Sequence, residues 1–352
     1  MLKKAILYPI TKENEILLRY SSLLEQVKII GGLLLDESID ESYSNAMVGL
    51  KEIDRYDTVI IGDGTILENS NEKKIIDLIY NVVNYKKDII ILYQLNQEQY
   101  ELICNVCKKN GVNFELISGL DVENCNYSKE IYVINTPIIL VTGVNEHTDK
   151  FETQLLIRKF FIKRGYKVSQ IGTKRFSNLF GMYAFPEFMY QNIQEQEKII
   201  RFNRLCKSIE KKENPDVIIV GVPGGVIPIN NEFVNRFGIT AIEVGSAINV
   251  DIMILNLNYD DYTTNFFDDM RLMAKYKFNV ESLLFNMTNH KIDFQRSKED
   301  GILRFVTLEK IKVKDMVSKI EEINLYENDE NGINKMCEEI LEELDGSDIQ
   351  LM

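Results

Sequence analysis

The chain is poor in the residues that a metalloprotein, a disulfide scaffold or a membrane protein needs. It has two histidines, distant in sequence, and five cysteines with no cluster among them. No zinc or iron–sulfur site is visible in that spacing. An odd cysteine count without framework spacing suits a reducing compartment. No apolar run reaches the ~18 residues of a membrane span. The start, Met1-Leu2-Lys3-Lys4, leads into a short apolar run that stops at Pro9, unlike a secretory signal. The chain is therefore expected to be soluble and cytoplasmic. It also lacks a basic stripe. The formal net charge is −13, and Glu321–Met352 holds 11 acidic residues against one basic, Lys335, which leaves the body near −3. That distribution excludes a nucleic-acid binder that neutralises phosphates along a basic face. The acidic end reads as a solvated, partly helical tail, or as a docking segment for a basic partner.

What is present is a normal globular composition, with 45% hydrophobic and 27% charged residues over 352 positions, enough for two domains and a tail. Apolar runs at Lys4–Pro9, Val27–Leu35, Thr58–Ile61, Ile89–Leu95 and Val112–Ile117 predict strands, and the spacing predicts helices over Lys73–Val83 and Asn96–Lys109. Gly62-Asp63-Gly64 marks a tight turn. The alternation predicts βαβ units and a mainly parallel sheet. A polar stretch at Tyr127–Glu130 is the expected joint. The pattern restarts with a buried strand at Ile138–Thr142 and a helix over Lys150–Arg164, closed by Gly165. Tyr166–Ile171, Val217–Val220, Thr240–Val244, Ile252–Leu257 and Ser282–Phe285 read as strands, Pro186–Lys211 as one long helix and Ile302–Leu308 as an edge strand.

Three segments carry candidate chemistry. The first is Gly143-Val144-Asn145-Glu146-His147-Thr148-Asp149-Lys150, a strand, a glycine, a six-residue loop and a lysine opening a helix. This is the plan of a phosphate loop, in which helix-start N–H groups and the lysine face phosphates. The usual glycine before the lysine is Asp149 and the usual Ser/Thr after it is Phe151. By spacing alone such a loop also arises by chance. The second is Pro223-Gly224-Gly225 after a buried strand, which is either a ligand-lining turn at a strand's carboxyl end or an ordinary tight turn. The third is Asn286, closing a late strand. His147 is a loop histidine, solvated or touching a ligand. Glu187, after Pro186, reads as a helix-capping acid or as a holder of a metal beside the loop. Cys104 and Cys107 form a C-x-x-C in mid-helix, where core packing is expected rather than redox work.

In order, Gly143, Lys150, Gly224, Gly225, Pro228 and Asn286 resemble the dethiobiotin-synthetase-like branch of P-loop proteins. A threonine three residues after the lysine, Thr153, resembles a set of proteins with a Rossmann-like first half, some linked to N-acetylation of D-amino acids. Over roughly residues 1–300, the start Lys4-Ala5-Ile6-Leu7-Tyr8-Pro9, the loop Glu146-x-Thr148-Asp149-Lys150-Phe151 and Pro223-Gly224-Gly225 resemble a clostridial peptide-maturation-system family encoded beside a radical-SAM enzyme and a bacteriocin-like precursor. The resemblance implies an α/β fold, with a Rossmann-like domain at 1–130, a P-loop-NTPase-like parallel-sheet domain at 131–310 and an acidic helical tail at 311–352. It implies a peptide-maturation accessory role with the precursor peptide or the radical-SAM enzyme as partner, and leaves a homo-oligomer open. Asn145, His147, Asp149, Lys150 and Thr153 are the expected ligand contacts, together with Gly143, Gly224, Gly225 and Asn286. The expected ligand is ATP or GTP with Mg²⁺, held by an accessory protein or used by an ATP-dependent ligase or kinase, or else coenzyme A in an N-acyltransferase. In the synthetase-like branch an acid before the Gly-Gly turn helps hold Mg²⁺, and Gly221 stands there instead. Asp149 is expected to place a carboxylate among the phosphate oxygens and to repel them. Both departures work against phosphoryl transfer.

Overall fold

In the computed structural model, residues 2–12, 14–33, 52–62, 72–117, 130–320 and 323–346 are described. The chain separates into two compact units, Met1–Gly119 with Arg175–Ala184, and Leu120–Lys174 with Phe185–Met352. The joint expected over Tyr127–Glu130 falls at 127–129 outside the described residues, as do Asp63 and Gly64 of the predicted turn.

In the first unit the apolar runs become five parallel strands. They are β1 (Lys3–Tyr8), β2 (Val27–Gly32), β3 (Thr58–Ile61), β4 (Asp88–Ile91) and β5 (Phe114–Leu116), in the order β2-β1-β3-β4-β5. A four-residue helix, α1 (Ile16–Arg19), precedes β2. Helices α2 (Glu72–Asn84) and α3 (Gln97–Asn110) cover the sheet. Leu78, Ile79, Val82 and Val83 of α2 and Ile103 and Cys107 of α3 pack on Ile6, Val59, Ile61, Ile89 and Ile91. α3 starts with a capping box between Asn96 and Gln99 and stops at Gly111 in the left-handed conformation. Cys107 is buried in that core, and burial pushes its thiol up to about 11, which makes it a poor thiolate.

The second unit holds β6 (Ile138–Gly143), β7 (Val168–Gly172), β9 (Val217–Gly221), β10 (Ile252–Leu257), β11 (Ser282–Met287) and β14 (Leu325–Glu327). The short β8 (Tyr183–Ala184) lies in the inserted segment of the first unit. Within the second unit the parallel order is β14-β11-β10-β6-β9-β7. Every residue of β6 is buried, as a central strand covered on both faces requires. The helices are α4 (Lys150–Lys163), α5 (Glu195–Glu213), α6 (Ile239–Ala247), α7 (Thr264–Phe278), α8 (Phe294–Asp300), α9 (Lys310–Val317) and α10 (Glu330–Gly346). The chain leaves β6 toward β7 and β9 on one side, and leaves β10 toward β11 on the other. The connections therefore diverge between β6 and β10, where open α/β sheets leave a crevice at the strands' carboxyl ends.

Four elements differ from expectation. Thr240–Val244 is not a strand but part of α6. Ala241, Val244 and Ala247 are buried at three-residue spacing, so helical packing overrides the β-branched composition. The helix expected over Pro186–Lys211 is a 3-10 turn, Glu187–Tyr190, then a break, then α5. The polar run Gln191-Asn192-Ile193-Gln194 offers no apolar stripe to hold a helix on the core. The edge strand expected over Ile302–Leu308 shrinks to β13 (Phe305–Thr307), paired antiparallel with β12 (His290–Ile292) in a separate ribbon. Finally, the acidic end is not simply a solvated tail. β14 extends the main sheet beside β11, and α10 buries Ile333, Met336, Cys337 and Ile340 completely. Its acids lie on the other face, where Glu330 meets Lys159 at 2.8 Å and Glu338 meets Arg164. Among the described residues no helix is long and apolar enough to cross a membrane.

Candidate functional site

β6 runs into the loop through Gly143, where a Cβ would overlap Thr148 Oγ1 and stand 3.0 Å from Lys150 Nζ. Glycine is required there because the loop curls back over the strand end. His147 and Asp149 take left-handed φ values of 52° and 49° to make the curl. Asp tolerates that region better than most residues, which lets it stand where phosphate loops carry glycine. Lys150 then opens α4.

Lys150 is folded back on the loop. Its Nζ donates to Asn145 O at 2.8 Å and to Thr148 Oγ1 at 3.3 Å, and the side chain is buried. Among the described residues no carboxylate forms an ion pair with it. Burial lowers its pKa to about 8, against the opposing pull of Glu146 and Asp149 and with a further push from Lys174.

The Asp149 carboxylate meets a histidine from outside the loop. Its Oδ2 lies 3.1 Å from His290 Nε2. His147 stacks on Phe305 at 4.8 Å between ring centroids, and its carbonyl accepts from Asn258 Nδ2 at 3.2 Å. Burial, and then Lys174, lower the His147 pKa.

Thr153 and Asn286 meet within a buried network. Thr153 Oγ1 accepts from Asn256 Nδ2 at 2.6 Å and from Asn286 Nδ2 at 3.1 Å, and lies 2.9 Å from Asn328 Oδ1. Asn256 Nδ2 also donates to Thr148 O at 2.8 Å. Asn256 and Asn286 are register partners on β10 and β11, so neighbouring strand ends clamp the loop and the first turn of α4. Three buried amide oxygens, Asn145 Oδ1, Asn258 Oδ1 and Asn286 Oδ1, have no hydrogen-bond partner among the described residues. Buried polar atoms of this kind call for a ligand or water.

The Pro223-Gly224-Gly225 turn reaches the loop. Gly224 has φ +84°, and a Cβ on Gly225 would stand 2.7 Å from Asn145 Cα and from Val144 O. Val226 N donates to Gly143 O at 3.0 Å. At Gly221 the reason for the missing acid is steric. A Cβ there would overlap the Gln154 amide, whose Nε2 is held by Ile171 O at 2.9 Å. Glu187 stands in the first turn of its 3-10 helix. Among the described residues no group of three or more His, Cys, Asp or Glu side chains is placed to hold a metal ion. A cavity of about 160 Å³ opens beside the network, lined by Met287, Asn289, Lys310, Val313, Lys314 and Asn328 among others.

His290, Asn256, Asn258, Asn328 and Gln154 belong to this region and carry no motif in the sequence. A usable signal existed for two of them: Asn256 and Asn286 each interrupt an apolar strand near its end, Leu-Asn-Leu and Phe-Asn-Met.

No known family profile matches the chain, and no curated protein matches it. Among solved structures it is similar to a DUF1611 family protein from Anabaena variabilis, with a TM-score of 0.65 at 10% identity, covering 97% of this chain and 99% of that one. Slighter likenesses are to a homoserine dehydrogenase from S. aureus (TM-score 0.26, 16% identity, 34% and 32% of the two chains) and to an NAD-binding protein from Listeria innocua (TM-score 0.28, 10% identity, 57% and 53%). The first likeness shows a shared mixed α/β fold with parallel sheets, and the fold alone.

Proposed function

We propose that the second unit binds a phosphorylated ligand at the β6–α4 junction, and that coenzyme A, carrying an acyl group, fits it best. The observation that carries this reading is the buried Lys150 ammonium, which among the described residues donates its hydrogen bonds only to a carbonyl and a hydroxyl and forms no ion pair. A phosphate at the start of α4 would give it the anion it lacks, with the helix-start N–H groups adding to the pull. The orphaned oxygens of Asn145 and Asn258 supply acceptors for ligand N–H or O–H groups. Gln154 fills the space beside Gly221 where a metal-holding acid would stand, and coenzyme A phosphates need no protein-held metal. The second reading, ATP or GTP with Mg²⁺, shares the loop but would need Glu187 or the nucleotide itself to bring the metal. On the sequence resemblance, the setting is peptide maturation, with the precursor peptide or a radical-SAM enzyme as partner.

Calorimetry with acetyl-CoA, ATP and GTP, each with and without Mg²⁺, tests this directly. Acetyl-CoA should bind without added metal, and Lys150→Ala should weaken it by about tenfold or more, the scale of one charge-assisted contact. Binding of none of the three to wild-type protein would overturn the reading.

A further inference from the structure

The chain's two histidines, so far apart in sequence, come together at this loop, and both are tied to the β12–β13 ribbon. His147 of the loop stacks on Phe305 of β13, while His290 of β12 meets Asp149 of the loop. Phe305 and Thr307 are two residues apart on β13 and so share one face. Thr307 Oγ1 lies 3.2 Å from His290 Nδ1. The result is a chain of three groups: Asp149 Oδ2 to His290 Nε2 at 3.1 Å, then His290 Nδ1 to Thr307 Oγ1 at 3.2 Å. A carboxylate at Nε2 favours the tautomer with its proton on Nε2. Nδ1 is then the lone-pair side, and the exposed Thr307 hydroxyl donates to it.

We propose that Asp149, His290 and Thr307 form a nucleophilic relay, in which Thr307 Oγ1 takes an acyl group from a thioester held at the loop and passes it to an amine. His290 and Thr307 are cross-strand partners, so the ribbon alone explains their nearness. It does not explain Asp149. That carboxylate comes from a different element, on a left-handed backbone that non-glycine residues rarely adopt. A base within hydrogen-bond reach of a hydroxyl, itself oriented by a third group, is the signature of an activated nucleophile. Asp149 is the positioning residue, in the place where a phosphate loop would carry glycine.

The chemistry balances. Thr307 Oγ1 attacks the thioester carbonyl, the C–S bond breaks, and the hydroxyl proton passes to His290 Nδ1 and on to the departing thiolate. An amine then attacks the threonyl ester, a C–N bond forms, the C–O bond breaks, and the amine's proton returns through His290 to Thr307 Oγ1. Nothing is oxidised or reduced.

This inference rests on the coenzyme A reading, and the test separates the two. p-Nitrophenyl acetate is a small activated ester that needs no phosphate site. Incubated with the full chain and followed by intact mass and peptide mapping, it should acetylate Thr307. Thr307→Val, which keeps the side-chain shape, should abolish that labelling, His290→Gln should slow it by about a hundredfold or more, as loss of a member does in such relays, and Thr307→Ser should keep it. Asp149→Asn should slow it too, and imidazole ¹⁵N NMR should show His290 leaving the Nε2-protonated tautomer. Wild-type protein that labels only at lysine or cysteine, or labelling at Thr307 that His290→Gln does not slow, overturns the relay. So does a His290 tautomer and rate unchanged in Asp149→Asn. If Thr307 labels but acetyl-CoA does not bind, the relay stands and the coenzyme A reading fails. If acetyl-CoA binds and Thr307 never labels, the reverse holds.

Discussion

Lys150 is the residue on which the phosphate reading depends, and its buried setting has consequences that pH exposes. Its folded pKa, about 8, lies below the ordinary lysine value near 10.5. The fold therefore disfavours the charged form. That penalty is fully present below pH 8 and is relieved as pH rises from 8 toward 10.5. One pKa unit is about 1.4 kcal/mol, so the penalty is on the order of 3 kcal/mol at most. Lys150→Met should thus stabilise the protein at pH 7, by about 1–2 kcal/mol after the lost bonds to Asn145 and Thr148 are counted. Denaturant melts at pH 7 and pH 10 should show the gain shrinking at the higher pH. The same lysine sets the pH dependence of binding. An anion needs it protonated, so affinity should be flat below pH 8 and fall about tenfold per unit above it. At pH 9, calorimetry in buffers of different ionisation enthalpy should show proton uptake on binding. Gly225 is the other sensitive position. Gly225→Ala would push a methyl against Asn145 Cα and Val144 O, which are backbone atoms with no easy way to move aside. Loss of ligand binding with little change in the far-UV spectrum is the expected result.

At the scale of elements, what the sequence revealed depends on how local its cause was. β6, the loop and the opening of α4 at Lys150 were legible because strand, glycine and core-facing helix are adjacent in the chain. The Pro223-Gly224-Gly225 turn was legible as a turn, and the fold brings it against Asn145. The orientation of Asp149 was not legible, because it depends on His290, which arrives from β12, 141 positions later. α6 was misread because Ile, Thr and Val favour strands locally, while burial of Ala241, Val244 and Ala247 decides for helix. The acidic end hid its structure in the same way: many charges on one face of α10 mask a continuous apolar face on the other. That face should carry most of the element's stability. Ile340 is fully buried, and Ile340→Ala should cost about 2–5 kcal/mol. Glu330→Gln removes only an exposed pair with Lys159 and should change stability by about 0.5 kcal/mol or less. Parallel denaturation curves of the two variants would check the contrast, and equal effects would mean that α10 is held by its charges.

At the scale of the molecule, the chain does not simply divide in the middle. The first unit consists of Met1–Gly119 together with Arg175–Ala184, a segment that the chain reaches only after β7 of the second unit. The segment is well built into its unit. Glu25 N donates to Leu179 O at 2.9 Å, Gln26 Nε2 reaches Asn178 O at 3.5 Å, and a Cβ on Gly181 would overlap the Glu25 carboxylate. Leu179 and Phe180 are buried almost completely. Burying a side chain of that size contributes roughly 1.5–3 kcal/mol, a large share of the stability of a domain near 120 residues. A protein ending at Gly119 therefore lacks part of its own core. Hydrogen exchange read on the β1 and β3 amides should be faster in that fragment than in the full chain. Returning residues 175–184 through a flexible Gly/Ser linker should restore part of the protection, since closing a longer loop costs little more than closing a short one. A fragment ending at Gly119 that protects its β1 and β3 amides as fully as the intact chain does would show that the segment is a passenger on the first unit rather than part of it.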